Sequence, residues 1–125
     1  MKTPTPRATR RRILVVEDDA LQARLLCRIL DRLGHESVGP AGSIDDALSY
    51  ARSAPLDGAI LDLNVRERSS LPVAEVLRGR SIPFLFLTGY GSGEVPAGLG
   101  KVMRLGKPVE PQRLAAALSA IFEGG

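Results

Sequence analysis

The sequence predicts an α/β fold in which five strands alternate with helices in a doubly wound parallel sheet. Three observations predict it. Short, unbroken apolar runs recur along the chain, and stretches with apolar residues at helical spacing lie between them. Gly and Pro punctuate the junctions. Runs of this kind suit strands covered on both faces, and their alternation with helices implies right-handed βαβ crossovers.

The elements follow in order. "ILVV" (13–16) is brief, unbroken and mostly β-branched, which marks a buried strand. Leu25, Leu26, Ile29, Leu30 and Leu33 then make a helical stripe, and Gly34 supplies a stop. Cys27 lies within that helix and reads as packing. "ESVGP" (36–40) is a weaker strand closed by Gly and Pro. Ser43 followed by Asp46 forms an N-cap pattern, after which Ile44, Ala47, Leu48 and Ala51 share one face.

"DGAILDL" (57–63) is the third strand, and a helix is expected over roughly 70–78. "IPFLFL" (82–87) is the fourth strand, with Phe84 and Phe86 on one face as core. "GYGSGEVPAGLG" (89–100) holds five glycines and one proline, so the fourth helix is expected to be short or frayed. "KVMRL" (101–105) is the last strand. Leu114, Ala117, Leu118 and Ile121 form the closing helical stripe, with Pro111 near its start.

A chain of 125 residues suits one domain, and 44% apolar with 25% charged residues describes an ordinary soluble globule. The single cysteine excludes an internal disulfide and fits a reducing, cytoplasmic setting. No apolar run approaches the length of a membrane span, and the N-terminus has no signal-peptide core. The net charge of +3 resides in residues 1–12, where Lys2, Arg7, Arg10, Arg11 and Arg12 stand without an acid. That stretch reads as a basic, disordered leader, with contact to nucleic acid or anionic lipid as the alternative. The remainder carries −2 and offers no electrostatic case for binding nucleic acid.

In a doubly wound sheet, sites lie outside the carboxyl ends of the strands. Glu17, Asp18 and Asp19 follow the first strand; Asp62 ends the third, with Asn64 beyond it. Thr88 follows the fourth strand, and Lys107 with Pro108 follows the last. A parallel sheet brings these groups to one rim. Acids so close repel unless a cation sits among them. Carboxylate oxygens with a backbone carbonyl and waters suit a hard octahedral ion such as Mg²⁺. The metal and Lys107 then keep Asp62 ionised and nucleophilic. A carboxylate nucleophile beside such an ion, with an ammonium and a hydroxyl for anionic oxygens, is equipment for phosphoryl transfer to an aspartyl phosphate.

The succession "VVEDD", "LDLN", "LTG", "GKP" resembles the receiver domain of two-component response regulators, over residues 13 to about 123. The resemblance implies a CheY-like, flavodoxin-like (βα)5 fold. It also implies that Asp62 is the phosphoacceptor, with Mg²⁺ held by Asp18 directly, by Glu17 through water, by Asp62, and by the backbone carbonyl of Asn64. Thr88 matches the hydroxyl that bonds the phosphoryl group, Lys107 the phosphate-binding lysine, and the peptide before Pro108 is expected to be cis. "PFLFLTGY" (83–90) is similar to the "PFxFATGY" stretch of the FAT GUY single-domain receivers, with Leu87 in place of Ala.

Receivers usually carry Tyr or Phe three residues before the lysine, where this chain has Arg104. Arg104 reads as a solvated charge or as a phosphate-sensing or partner-binding residue. Tyr90 either packs locally or stands in for the missing ring. Asp19 reads as a helix cap, with metal ligation as the alternative, and His35 as a surface loop residue.

The expected function is a stand-alone receiver that takes a phosphoryl group from a histidine kinase or histidine phosphotransfer protein. It then signals by contact with a downstream protein or passes the group along a relay. It is a switch that catalyses its own phosphorylation, not a turnover enzyme. The alternatives are a receiver-like binding module that works without phosphorylation and a phosphatase with an aspartyl nucleophile. Against the phosphatase, Asn64 stands where that class keeps an acid.

Overall fold

The computed structural model describes residues 10–89 and 102–123. Among these residues, seven strands and four helices follow in order: β1 (Arg12–Val16), α1 (Ala20–Arg32), β2 (Glu36–Ala41), α2 (Ile44–Ser53), β3 (Gly58–Asp62), β4 (Asn64–Val65), β5 (Arg68–Ser69), α3 (Leu71–Gly79), β6 (Phe84–Thr88), β7 (Arg104–Gly106) and α4 (Pro111–Glu123). Five strands form a parallel sheet ordered β2-β1-β3-β6-β7, and β4 and β5 form a separate antiparallel hairpin. The chain first winds from β1 to β2, then crosses back to β3. That reversal places the switch point between the carboxyl ends of β1 and β3.

Strand alternation sorts the core into two layers. Leu14, Val16, Ala59, Leu61 and Phe86 join residues of α2 and α3 on one face. Ile13, Val15, Ile60, Leu85 and Leu87 join residues of α1 and α4 on the other. β1 and β3 are buried on both faces, which is why their sequences carry no polar alternation. Phe84 and Phe86 pack edge to face on the α2/α3 side, their centroids 5.7 Å apart.

Caps set the helix ends. Asp19 caps α1 by accepting the Gln22 N–H at 3.0 Å, and Ser43 caps α2 by accepting the Asp46 N–H at 3.1 Å. Gly34, at φ +89°, takes the left-handed turn that ends α1. From the end of α3, Arg80 Nη1 donates to the carbonyls of Ala51 and Ala54, at 2.7 and 3.0 Å, and ties off α2.

Several elements differ from expectation. The α1 stripe is narrower than the leucines indicate: Ala23, Leu26 and Leu30 are buried, whereas Leu25 and Leu33 are exposed. β2 does not stop at the Gly–Pro pair. Gly39 adopts φ +92°, where an added Cβ would lie 2.8 Å from Ala41 N, and β2 rejoins β1 through Ala41 after a register shift. β6 and β7 begin later than their apolar runs, at Phe84 and Arg104. The β4–β5 hairpin has no counterpart in the sequence reading. Of the basic leader, residues 1–9 lie outside the described residues, while Arg12 opens β1 and binds Glu36 and Asp57. The fourth helix expected over 89–100 also lies outside them, apart from Gly89. Among the described residues no helix is long and apolar enough to cross a membrane.

Candidate functional site

The groups expected at the rim meet beyond the ends of β1, β3 and β7. Asp62 is the last residue of β3 and is 6% exposed; Glu17, the residue after β1, is 2% exposed. Such buried acids require partners. Lys107 provides one, its Nζ lying 2.8 Å from Asp62 Oδ2 and 3.0 Å from Glu17 Oε1. The Asp19 N–H donates to Glu17 Oε2 at 3.1 Å. Burial pushes the Glu17 carboxyl up from its ordinary value, and the Asp62 carboxylate adds to that rise against the opposing Asp19 N–H and Lys107. For Lys107, burial favours the neutral amine. The hydrogen bonds and charges of Asp62 and Glu17 outweigh it, so the ammonium is held above its ordinary value.

Asp18 is exposed and sits at the mouth. Its Oδ2 accepts the backbone N–H of Arg66 at 2.9 Å. One oxygen each from Glu17, Asp18 and Asp62 lies within 4.8 Å of the others. Glu17 Oε1 is buried, and among the described residues the Lys107 ammonium that it shares with Asp62 is its one partner. Three clustered carboxylates answered by a single ammonium are a donor set that fits a hard divalent cation, and among the described residues no thiol or imidazole joins the cluster.

Thr88 ends β6, one residue beyond Leu87, the register partner of Asp62. Its hydroxyl has only a long bond of 3.5 Å to the Leu105 carbonyl, while its own carbonyl accepts the Lys107 N–H at 2.9 Å. Asn64 opens the hairpin two residues past Asp62 and is exposed. The Lys107–Pro108 peptide is cis. Arg104 is exposed at the start of β7 opposite Phe86, on the edge strand, and Tyr90 lies outside the described residues. A cavity of about 600 Å³ opens at the other end of the sheet, near Asp57, Pro83 and Phe122, and no expected site residue lines it.

Sequence reasoning missed the hairpin and its turn. Arg66 and Glu67 stand at φ +51° and +66°, a left-handed pair that usually announces itself by Asn-Gly. Ser70 was missed as well. It is fully buried, and both its N–H and its hydroxyl donate to the Leu63 carbonyl, at 3.0 and 3.1 Å.

The residue pattern of the response regulator receiver domain matches positions 13–119. The chain belongs to that family. Among curated proteins, this receiver is 32% identical over 111 residues to the acid tolerance regulatory protein ActR of Rhizobium meliloti, covering 85% of this chain and 57% of ActR. It thus spans little more than half the length of that relative. Among solved structures, it is similar to the solution structure of SdrG from Sphingomonas melonis Fr1, at 37% identity and TM-score 0.81, covering 90% of this chain and 96% of that one. It is also similar to the BeF3-activated conformation of SdrG from Pseudomonas melonis Fr1, at 36% identity and TM-score 0.74, covering 89% and 95% of the two chains. Receiver domains are generally non-enzymatic signalling domains that work by phosphorylation, and they typically bind Mg²⁺ at an acidic cluster such as this one.

Proposed function

We propose that this receiver accepts a phosphoryl group on Asp62 from a histidine kinase or histidine phosphotransfer protein in a reducing, cytoplasmic setting. It then signals by contact with a downstream protein or by passing the group onward. The observation that carries this reading is the Lys107 ammonium at 2.8 Å from Asp62, beside two further carboxylates at the switch point.

Glu17, Asp18 and Asp62, with the Asn64 carbonyl, are the residues that would hold Mg²⁺, Glu17 through a water. When bound, that ion supplies positive charge against the oxygens of the incoming phosphoryl group. The protein's own groups do the rest. Asp62 attacks phosphorus in line, the P–O bond forms as the donor's P–N bond breaks, and the product is an acyl phosphate. Lys107 is close enough to turn its ammonium from the Asp62 carboxylate to a phosphoryl oxygen without leaving the pocket. The Thr88 hydroxyl, weakly held at 3.5 Å, is free to trade its carbonyl partner for the same anion. The BeF3-activated conformation of a relative at 36% identity supports a site that responds to a small anion. The likeness of "PFLFLTGY" to the FAT GUY stretch supports a stress-relay setting.

Intact-mass measurement after incubation with a small phosphodonor tests the reading. We expect a single phosphoryl adduct that requires Mg²⁺ and vanishes in Asp62→Ala. Wild-type protein that gains no adduct would instead mark a module that binds partners without phosphorylation.

A further inference from the structure

We infer that the β4–β5 hairpin is a positioning element for Asp18, acting through the backbone N–H of Arg66. The inference rests on the proposed divalent-ion site and concerns what holds one of its ligands still. Asp18 is exposed, and among the described residues the Arg66 N–H is the only hydrogen-bond donor to its carboxylate. An exposed aspartate without such a donor rotates freely and loses that freedom on metal binding. A carboxylate with one oxygen already fixed presents the other at little further entropy cost.

The hairpin is built to place that amide. Its base is clamped: the Leu63 N–H donates to the Leu87 carbonyl at 2.9 Å, and Ser70 closes on the Leu63 carbonyl twice. Val65 is fully buried in the α2/α3 layer, which fixes the strand's register. Only two residues remain to reverse the chain, and both stand in the left-handed region without being glycine. That conformation is unfavourable for Arg and Glu, so it persists because the surroundings impose it. Its result is that the Arg66 amide faces Asp18, 48 residues earlier in the chain. The turn side chains are exposed, and among the described residues no side-chain hydrogen bond or ion pair joins them to the acid cluster.

The test is a Mg²⁺ titration without phosphodonor, followed on the amide resonances of Glu17, Asp18 and Lys107. Inserting two glycines between Arg66 and Glu67 lengthens the loop and releases the amide while keeping every side chain. We expect its Mg²⁺ affinity to fall about tenfold, the usual cost of losing a group that orients a metal ligand. Replacing the turn with the favoured pair, R66N/E67G, keeps the amide and should bind at least as tightly as wild type. Equal affinity in the insertion variant overturns the inference, and so does tenfold loss in R66N/E67G, which would assign the effect to side chains. Should the insertion variant lose its dispersed spectrum, the wild-type Arg66 amide decides. Slowed hydrogen exchange and a shift on adding Mg²⁺ support the inference; exchange at the rate of an unstructured chain overturns it. Wild-type protein that binds no Mg²⁺ would remove the metal reading itself, a separate outcome.

Discussion

The ring of Phe122 fills the space that a side chain on Gly58 would need: an ideal Cβ at Gly58 would stand 2.8 Å from two of its ring carbons. Gly58 opens the strand whose other end carries Asp62, so the last turn of α4 is keyed to the foot of β3. Arg11 covers the same ring, its guanidinium carbon 4.4 Å from the centroid.

Gly58→Ala should therefore overpack this junction and cost about 1–3 kcal/mol of stability. Urea unfolding checks it, and the cost should largely disappear in a Phe122→Ala background. Additive effects in the double variant would show that the two positions do not meet.

Lys107→Ala leaves Glu17 and Asp62 buried without their cation. Removing one partner of such a group should cost about 3 kcal/mol at neutral pH in metal-free protein. Calorimetry with and without Mg²⁺ tests this, since a bound divalent ion should restore part of the loss. The deficit should also shrink on acidification, as Glu17, whose pKa burial raises, takes up a proton.

His35 gives a pH dependence of its own. Its Nδ1 accepts the Arg11 N–H at 3.1 Å, and burial first, then the charges of Arg11 and Arg10, lower its pKa from the ordinary 6.5. Below 6.5 the unfolded chain binds the proton and the folded chain does not. Stability is therefore complete above that value and falls as pH drops toward the lowered one. Thermal unfolding between neutral and mildly acidic pH should show the slope. His35→Phe should flatten it, at a cost of about 1 kcal/mol for the lost hydrogen bond.

The R66N/E67G exchange should raise stability by roughly 1–2 kcal/mol, because Gly removes the left-handed penalty at one position and Asn softens it at the other. Denaturant midpoints of the exchange variant and wild type measure it directly.

The sheet was legible in the sequence because 13–16 of β1 and 59–61 of β3 are unbroken apolar runs. The clustering at the rim was legible because Glu17, Asp62 and Lys107 each directly follow or end a strand. What escaped notice lacked a residue-level signature. The hairpin rests on Arg66 and Glu67, which carry none of the Asn-Gly preference of its turn, and on an amide that every residue but proline possesses. β2 ran past its Gly–Pro pair because backbone pairing of Ala41 with Val16 outweighed the local turn signal. Leu25 was placed in the core by spacing alone, yet the buried line of α1 runs through the smaller Ala23 instead.

The charges of this site rest on unequal footings. Both buried acids are fastened to central strands with neighbours on either side, whereas the balancing ammonium follows a three-residue strand at the margin, paired among the described residues with β6 alone. Short marginal strands open most readily. A partner that peels back or grips β7 would thereby withdraw or lock the counterion, adjusting the readiness of Asp62 without touching it.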